Sequence, residues 1–244
     1  MLRKKYVEYI FDRLGLMFIP KWRFEKLLLT KRIQRIISEY QIDCMIDVGA
    51  NVGQYHDFLR NYVGYAGLII SFEPDPSNFD VLVKASQSDD LWIVKGYALG
   101  KENTTSTLNI MESSVFNSFF EPNHAETNQF IMHNTIKTTT EVSVKRLDGV
   151  MPELIKKHKF SRAFLKLDTQ GFDLDVFEGA SNCLDMILGI QTEVAFISIY
   201  KNMPSAEQSF NAFRSKGYDV SGLYPVDESR FPYAVEFDCV YLPK

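Results

Sequence analysis

A short run of small residues, placed between an apolar segment and a helical pattern, constrains this chain more than any other feature. Residues 42–48 are mostly apolar and predict a buried parallel strand, and residues 49–53 (Gly-Ala-Asn-Val-Gly) follow it directly. Gly49 and Gly53 allow a tight turn and let a ligand approach the backbone without meeting a Cβ atom. A helix that begins near Gly53 directs free N–H groups at that ligand. The run therefore predicts a strand–turn–helix unit that binds a ligand.

The tip of the second predicted strand carries an acid. Residues 67–72 form another apolar run, and Glu73 follows at the position where doubly wound folds hold the hydroxyls of a ribose. The loop at residues 49–53 lacks the third glycine of a dinucleotide-binding loop, and Asp47 precedes it. A carboxylate suits a cofactor with a cationic amine or sulfonium better than a negatively charged pyrophosphate. These residues predict a site for S-adenosylmethionine.

The composition is that of a protein with one sizeable core. The chain has 244 residues, of which 45% are hydrophobic. Its three cysteines lie far apart, without the paired spacing of a zinc site, and indicate a reduced, intracellular protein. No run is long enough to span a bilayer, and Glu8 and Asp12 interrupt the apolar stretch that an export signal needs. We therefore expect a cytoplasmic protein.

The charge is unevenly distributed along the chain. Residues 1–40 contain ten Lys and Arg against four acids, whereas the whole chain has a net charge of −4. Such a segment is typical of a helical cap with a solvated basic face, and we expect this cap over residues 1–41. The alternative is a weak peripheral contact of this basic segment with a membrane surface or an anionic substrate.

Strands alternate with helices from residue 42 onward, which implies right-handed crossovers and a mostly parallel sheet. The predicted strands of the sheet cover about residues 42–48, 67–73, 91–95, 163–168, 187–196, 218–224 and 234–242. The predicted helices cover about residues 22–40, 53–62, 76–86, 148–158, 172–181 and 205–216. Because no helix separates the last two strands, we expect a C-terminal antiparallel β-hairpin. The predicted fold class is a doubly wound, Rossmann-like α/β domain with seven strands.

Residues 101–141 interrupt this alternation. They are rich in Thr, Ser and Asn, and they predict an insertion with an extra strand or hairpin and a long loop within a single domain at residues 42–244. Residues 141–147 alternate and predict another strand. Asp148 is the expected N-cap of the helix that follows.

The ordered set of motifs resembles the FkbM family of S-adenosylmethionine-dependent methyltransferases, and the element order resembles the class I methyltransferase fold. The resemblance runs from about residue 42 to the C-terminus, and its motifs are residues 47–53, 72–74, 98–100, 147–148, 165–171, 192–194 and 237–238. The family usually has Glu where this chain has Gln170 and Asp173. The resemblance implies O-methylation of a hydroxyl on a sugar, glycan or natural product, with a small-molecule or glycan acceptor and no nucleic acid.

Methyl transfer is an in-line displacement that depends on alignment, and a hydroxyl acceptor also needs a base or a metal to remove its proton. Ligands of such sheets lie outside the carboxyl ends of the strands. The predicted cofactor-binding residues are Asp47, Gly49, Asn51, Gly53, Glu73, Pro74, Ala98 and Asp168. The candidates for activating the acceptor are Asp168, Glu193, His124 and His133. Asp168 is favoured, and a divalent metal at this position is left open.

One lysine in the predicted core needs a partner. Lys166 lies within an apolar strand, where an unpaired charge is costly, and we expect it to pair with Glu193 or Asp168. Glu193 has a second interpretation, as a structural partner of this lysine alone.

Two other functions remain open from the sequence. One is a nicotinamide-dependent oxidoreductase or epimerase of the Rossmann type, which the missing third glycine disfavours. The other is a protein that binds the cofactor without turnover.

Overall fold

The computed structural model describes Arg13, residues 26–226 and residues 235–244, and its elements are numbered over these residues. The helices are α1 (Leu27–Tyr40), α2 (Gln54–Phe58), α3 (Pro76–Ser86), α4 (Leu147–His158), α5 (Asp173–Gly179) and α6 (Ala206–Ser215). The strands are β1 (Cys44–Val48), β2 (Leu68–Phe72), β3 (Trp92–Lys95), β4 (Ala98–Leu99), β5 (Thr104–Met111), β6 (Ile136–Lys145), β7 (Ala163–Leu167), β8 (Ile187–Ala195), β9 (Tyr218–Pro225) and β10 (Glu236–Pro243). Most of the predicted N-terminal cap lies outside the described residues.

Seven strands form the main sheet, in the order β3-β2-β1-β7-β8-β10-β9. The first five of these pair in parallel, and β10 runs antiparallel to both β8 and β9. The predicted α/β fold class, with its antiparallel C-terminal strands, is confirmed. The chain passes from β1 to β2 on one side and returns as β7 on the other, so the sheet has a topological switch point between β1 and β7.

A second sheet holds three strands in the order β4-β6-β5. Strand β5 contains all of the extra strand predicted near residues 105–110, whereas β6 begins at Ile136, five residues before the strand predicted at residues 141–147. The first half of β6 is largely exposed and polar, so it lacks the apolar alternation that marks a half-buried strand.

Apolar packing on both faces holds the main sheet between helices. One face packs against α4, α5 and α6, and the other packs against α1 and α2. In α1, the buried residues Leu29, Ile33 and Ile36 recur at helical spacing and form the stripe that faces the sheet. No helix among the described residues is long and apolar enough to cross a membrane.

The start of α4 differs from the prediction. The helix begins at Leu147, and the Asp148 side chain does not cap it. Its two carboxylate oxygens instead accept hydrogen bonds of 2.9 and 2.6 Å from the guanidinium of Arg146. The prediction of Asp148 as N-cap is therefore wrong, because a nearby arginine binds its carboxylate.

Strand register aligns a line of polar side chains across the sheet. Cα partners run from Ser71 to Asp47, from Asp47 to Lys166 and from Lys166 to Gln191. The hydroxyl of Ser71 donates to Asp47 Oδ2 at 3.0 Å. We call these four residues the polar row, and all of them are buried.

Candidate functional site

A cavity of about 330 Å³ opens at the carboxyl ends of the parallel strands, beside the switch point between β1 and β7. Its volume falls within the range of small-molecule sites. Alternate residues of a strand share a face, so the residues two positions beyond the polar row also meet at one edge. These residues are Gly49, Glu73, Asp168 and Glu193, and all four line the cavity.

The carboxylate of Glu73 is held in place by the backbone. The N–H of Asn51 donates to Glu73 Oε2 at 2.7 Å, and the N–H of Asp75 donates to Oε1 at 2.8 Å. Burial raises the pKa of Glu73 to about 7, although these two bonds act in the opposite direction. Each oxygen keeps a lone pair that can accept from a ligand, so the group is oriented before any ligand binds.

The loop after β1 depends on positive φ angles. Gly49 has a φ of +80°, and a Cβ atom there would collide with the carbonyl group of Asp168. Gly53 has a φ of +100°, but it does not line the cavity, because its Cα faces the ring of Trp92. Gly53 therefore contributes to packing. It lies away from the cavity in which the sequence predicted a contact with the cofactor.

Replacing Gly49 with alanine is expected to destabilise the protein more than the same change at Gly64. Both glycines have positive φ angles, but a Cβ atom at Gly64 meets nothing within 4 Å. The backbone strain of an L-residue, about 1–2 kcal/mol, is common to both variants, and only Gly49→Ala adds a clash with the carbonyl of Asp168, the residue that follows β7. Thermal unfolding should therefore show a lower Tm for Gly49→Ala. Equal losses in the two variants would contradict this close approach of the loop to β7.

Lys166 lines the cavity and forms ion pairs with two acids. Its Nζ lies 3.0 Å from Asp168 Oδ2 and 3.3 Å from Asp47 Oδ1. Burial alone would lower the pKa of Lys166, but the two carboxylates outweigh it and raise that pKa. The pairing with Asp168 agrees with the prediction, whereas Glu193 makes no direct ion pair with this lysine.

Asp47 lies deeper than the sequence suggested. It is fully buried, it does not line the cavity, and its charge is balanced by Lys166. A direct contact with a cationic cofactor is therefore not supported by this geometry. The residue acts below the loop, where it accepts a hydrogen bond from Ser71 and orients Lys166.

Gln170 connects two carboxyl groups at the rim of the cavity. Its Nε2 donates to Asp168 Oδ1 at 3.2 Å and to Glu193 Oε2 at 3.4 Å. Burial, followed by the negative charge of Asp168, raises the pKa of Glu193 well above its usual range. Gln170 thus joins Asp168, the ionic partner of Lys166, to a carboxyl group whose burial favours its protonated form. Among the described residues, no group of three or more His, Cys, Asp or Glu side chains is arranged to hold a metal ion.

The two histidines of the insertion do not reach the cavity. A ring nitrogen of His124 lies 2.9 Å from Asn134 Oδ1. The ring of His133 stacks near Phe116, with centroids 6.0 Å apart. Both side chains pack within the insertion, so the geometry does not support either histidine as the group that activates an acceptor.

Several cavity residues were missed by the sequence reasoning. Ser114, Asn117 and Phe119 line one wall, and Asn117 Nδ2 donates to Asp75 Oδ2 at 2.9 Å. The other end is lined by Tyr55, Phe58, Gln191 and Asp238, together with Lys26 and Leu29 at the start of α1. The polar run near residue 114 was a signal for the first group, whereas the second group meets only through tertiary packing.

Comparison with known families identifies the kind of protein. Residues 47–220, more than half of the chain, match the model of the methyltransferase FkbM domain. The chain belongs to the FkbM methyltransferase family. This assignment confirms the predicted resemblance, and the matched range contains every predicted site residue. No curated protein matches the chain in sequence.

One solved structure shares the fold of this FkbM-family chain, and two further structures align less well. The methyltransferase FkbM from Methylobacillus flagellatus KT aligns with a TM-score of 0.52 and 16% identity, over 82% of this chain and 43% of that chain. The chain thus spans less than half the length of that relative. An uncharacterized protein from Listeria monocytogenes serotype 4b aligns with a TM-score of 0.47 and 10% identity, over 88% and 67% of the two chains. Aeropyrum pernix fibrillarin, in complex with natively bound S-adenosyl-L-methionine, has a TM-score of 0.45 and 10% identity, over 82% and 66%.

Proposed function

We propose that this FkbM-family chain is an S-adenosylmethionine-dependent methyltransferase that acts on a hydroxyl of a sugar, glycan or natural product. The observation that carries the proposal is the carboxylate of Glu73, which two backbone N–H groups hold at the tip of β2 beside the loop at Gly49. Carboxylates at this position of doubly wound sheets bind ribose hydroxyls. When bound, the cofactor supplies the electrophilic methyl group.

The residues around Glu73 fit an adenosyl group. Pro74, Ala98 and Leu99 give the cavity an apolar wall next to the carboxylate, which suits a base. Gly49 lets a ligand approach the loop without meeting a Cβ atom. Asn51 lines the same side, and its amide is fixed by a 3.1 Å hydrogen bond to Ser114 Oγ.

The remaining residues suit the reacting end. Asp168 lines the cavity with its carboxylate oriented by Lys166 and Gln170, so it offers a fixed negative charge to the cationic part of the cofactor. Beyond it, Tyr55 and Phe58 provide an aromatic wall against which an acceptor can pack. The protein mainly supplies alignment in such a reaction.

The oxidoreductase alternative has less support. Tyr97 and Lys101 have the Tyr-x-x-x-Lys spacing of some nicotinamide-dependent enzymes, but neither lines the cavity. Lys101 forms an ion pair of 2.8 Å with Asp175, and Tyr97 lies under the ammonium of Lys145. The two side chains therefore have other partners away from the proposed cofactor site.

Calorimetry with S-adenosylmethionine, its demethylated product and NAD tests the cofactor. We expect both adenosyl compounds to bind and NAD not to bind, because the loop lacks the third glycine of a dinucleotide site. Binding of NAD alone would contradict the proposal. Mass analysis of a panel of sugar glycosides and phenolic natural products incubated with methyl-labelled cofactor then separates an enzyme from a binding protein. Label transfer to a carbon, nitrogen or sulfur atom would contradict O-methylation.

A further inference from the structure

Two carboxyl groups face each other at the end of the cavity remote from Glu73. Asp238 of β10 is the direct antiparallel partner of Glu193 of β8, and both residues line the cavity. Side chains of directly opposed residues lie on the same face, with Cβ atoms about 5 Å apart. The pair is therefore close enough to hold neighbouring atoms of one small molecule.

A chain of hydrogen bonds orients Asp238. Gln191 Nε2 donates to Asp238 Oδ1 at 2.8 Å, and the hydroxyl of Tyr55 donates to Gln191 Oε1 at 3.1 Å. Burial raises the pKa of Tyr55, so its hydroxyl keeps its proton and fixes the direction of the amide. No hydrogen bond reaches Asp238 Oδ2 from the residues described in the structure, and this oxygen is left to accept from a ligand.

The surroundings of Asp238 and Glu193 act differently on the pKa values of the two carboxyl groups. Burial raises the pKa of Asp238 only to about 6, because the bond from Gln191 and the charges of Lys166 and Lys26 oppose the effects of burial and of Asp168. Burial, followed by the negative charge of Asp168 and of other nearby acids, raises the pKa of Glu193 well above its usual range. Burial thus favours the protonated form of Glu193, while the bond from Gln191 and the two lysines favour the ionised form of Asp238, an asymmetry in which two acids take different roles.

The other candidates for proton removal are already engaged or distant. Asp168 forms an ion pair with Lys166 at 3.0 Å and accepts a hydrogen bond from Gln170 at 3.2 Å, so each of its two carboxylate oxygens already has a partner. His124 and His133 lie outside the cavity.

We propose, on the basis of the proposed function, that Asp238 accepts the proton of the reacting hydroxyl and that Glu193 donates a hydrogen bond to an oxygen on the adjacent carbon of the acceptor. In this step the acceptor O–H bond breaks and its proton passes to Asp238 Oδ2. The electron pair of the oxygen forms the bond to the methyl carbon, and the pair of the breaking carbon–sulfur bond stays on sulfur. The acceptor class is thus a compound with oxygens on neighbouring carbons.

Glycidol, a small neutral epoxide with a neighbouring hydroxyl, tests the pair without knowledge of the natural acceptor. An ionised carboxylate next to an acid opens the epoxide: the carboxylate oxygen bonds to the ring carbon, the ring carbon–oxygen bond breaks, and the freed oxygen takes the proton of Glu193. We expect mass spectrometry to find a single glyceryl ester, on Asp238. Its rate of formation should rise with pH to a plateau above a midpoint near pH 6.

Three variants sharpen the experiment. Asp238→Asn should remove the ester, and Glu193→Gln should slow its formation by about tenfold or more, because the proton donor is lost. Asp219→Asn, which changes an exposed carboxylate, should leave the rate unchanged. An ester on Asp168 or Glu193, equal labelling of exposed acids, no labelling, or an unchanged rate in Glu193→Gln would each overturn the proposal. Calorimetry with S-adenosylmethionine on the same samples measures whether the cofactor binds. A failure of this proposal is thereby distinguished from a failure of the proposed function.

Discussion

Glu73→Ala is expected to weaken the binding of S-adenosylmethionine by about 2–4 kcal/mol, which corresponds to roughly 30-fold to 1000-fold in Kd. Two ribose hydroxyls that converge on one carboxylate form charge-assisted hydrogen bonds, and alanine removes both. The two backbone N–H groups that hold Glu73 would also lose their acceptor. Titration calorimetry measures the loss directly.

The same residue should make cofactor binding depend on pH. Because burial raises the pKa of Glu73 to about 7, part of the unliganded protein carries a protonated carboxyl at neutral pH. Hydroxyl donors favour the ionised form, so affinity should rise as pH increases through 7 and should fall by up to about tenfold per pH unit below it. The effect on stability has the opposite sign. A folded-state pKa above the ordinary value of 4.5 gives stability that is present at low pH and is lost as pH rises through about 7.

Glu73→Gln and Glu102→Gln form a matched pair for this test. The first removes the titrating group while keeping the shape of the side chain, so the affinity should become nearly independent of pH between 6 and 8. The second changes an exposed glutamate away from the cavity and should leave the wild-type profile intact. An unchanged Kd in Glu73→Ala, or a profile that survives Glu73→Gln, would remove Glu73 from the cofactor site.

Lys166→Met should lower the free energy of unfolding by about 3–5 kcal/mol, because it leaves a buried carboxylate without its counter-charge. Most of this loss comes from the carboxylate of Asp47, because it is fully buried and Lys166 Nζ is its ionic partner at 3.3 Å. The double variant with Asp47→Asn should therefore recover part of the loss. Denaturant unfolding of the two single variants and the double variant gives the interaction energy of the pair.

A second double-mutant cycle, with changes at Lys166 and Glu193, provides the control. Glu193 makes no direct ion pair with Lys166 and is linked to it only through Asp168 and Gln170, so Lys166→Met should couple more weakly with Glu193→Gln than with Asp47→Asn. Additivity of the Lys166 and Asp47 changes, or strong coupling of the Lys166 and Glu193 changes, would contradict the assigned partners.

The main sheet was predictable from local patterns. Strands β1, β2 and β7 are apolar except for one residue of the polar row in each, and they are buried along their whole length, as a parallel sheet covered on both faces requires. Helix α3 was predicted at its observed limits because Pro76 stands at its first position. Its N-cap, Asp75, accepts from the N–H of Ser77 at 2.9 Å.

The candidate site was predicted in part, and the errors have a common cause. Glu73 and Asp168 lie at strand tips, so topology alone brings them to the cavity. The second ionic partner of Lys166, Asp47, depends instead on the register between β1 and β7, which are far apart in sequence. Asp238 was similarly hidden, because its contact with Gln191 requires β10 to pair with β8. Sequence periodicity identifies which face a residue occupies, but it does not identify the residue opposite.

The polar row also gives the sheet a means of alignment. Uniformly apolar parallel strands bury nearly the same apolar surface in several registers. Burial alone therefore discriminates poorly between these registers. A shift of one residue in β7 would turn Lys166 to the opposite face of the sheet, away from Asp47. Both charges would then be buried in the apolar core without a partner. The lysine thus penalises misaligned sheets more than it stabilises the aligned one. A redesigned chain with an apolar pair at these positions would gain stability, but its sheet would no longer be restricted to one strand register.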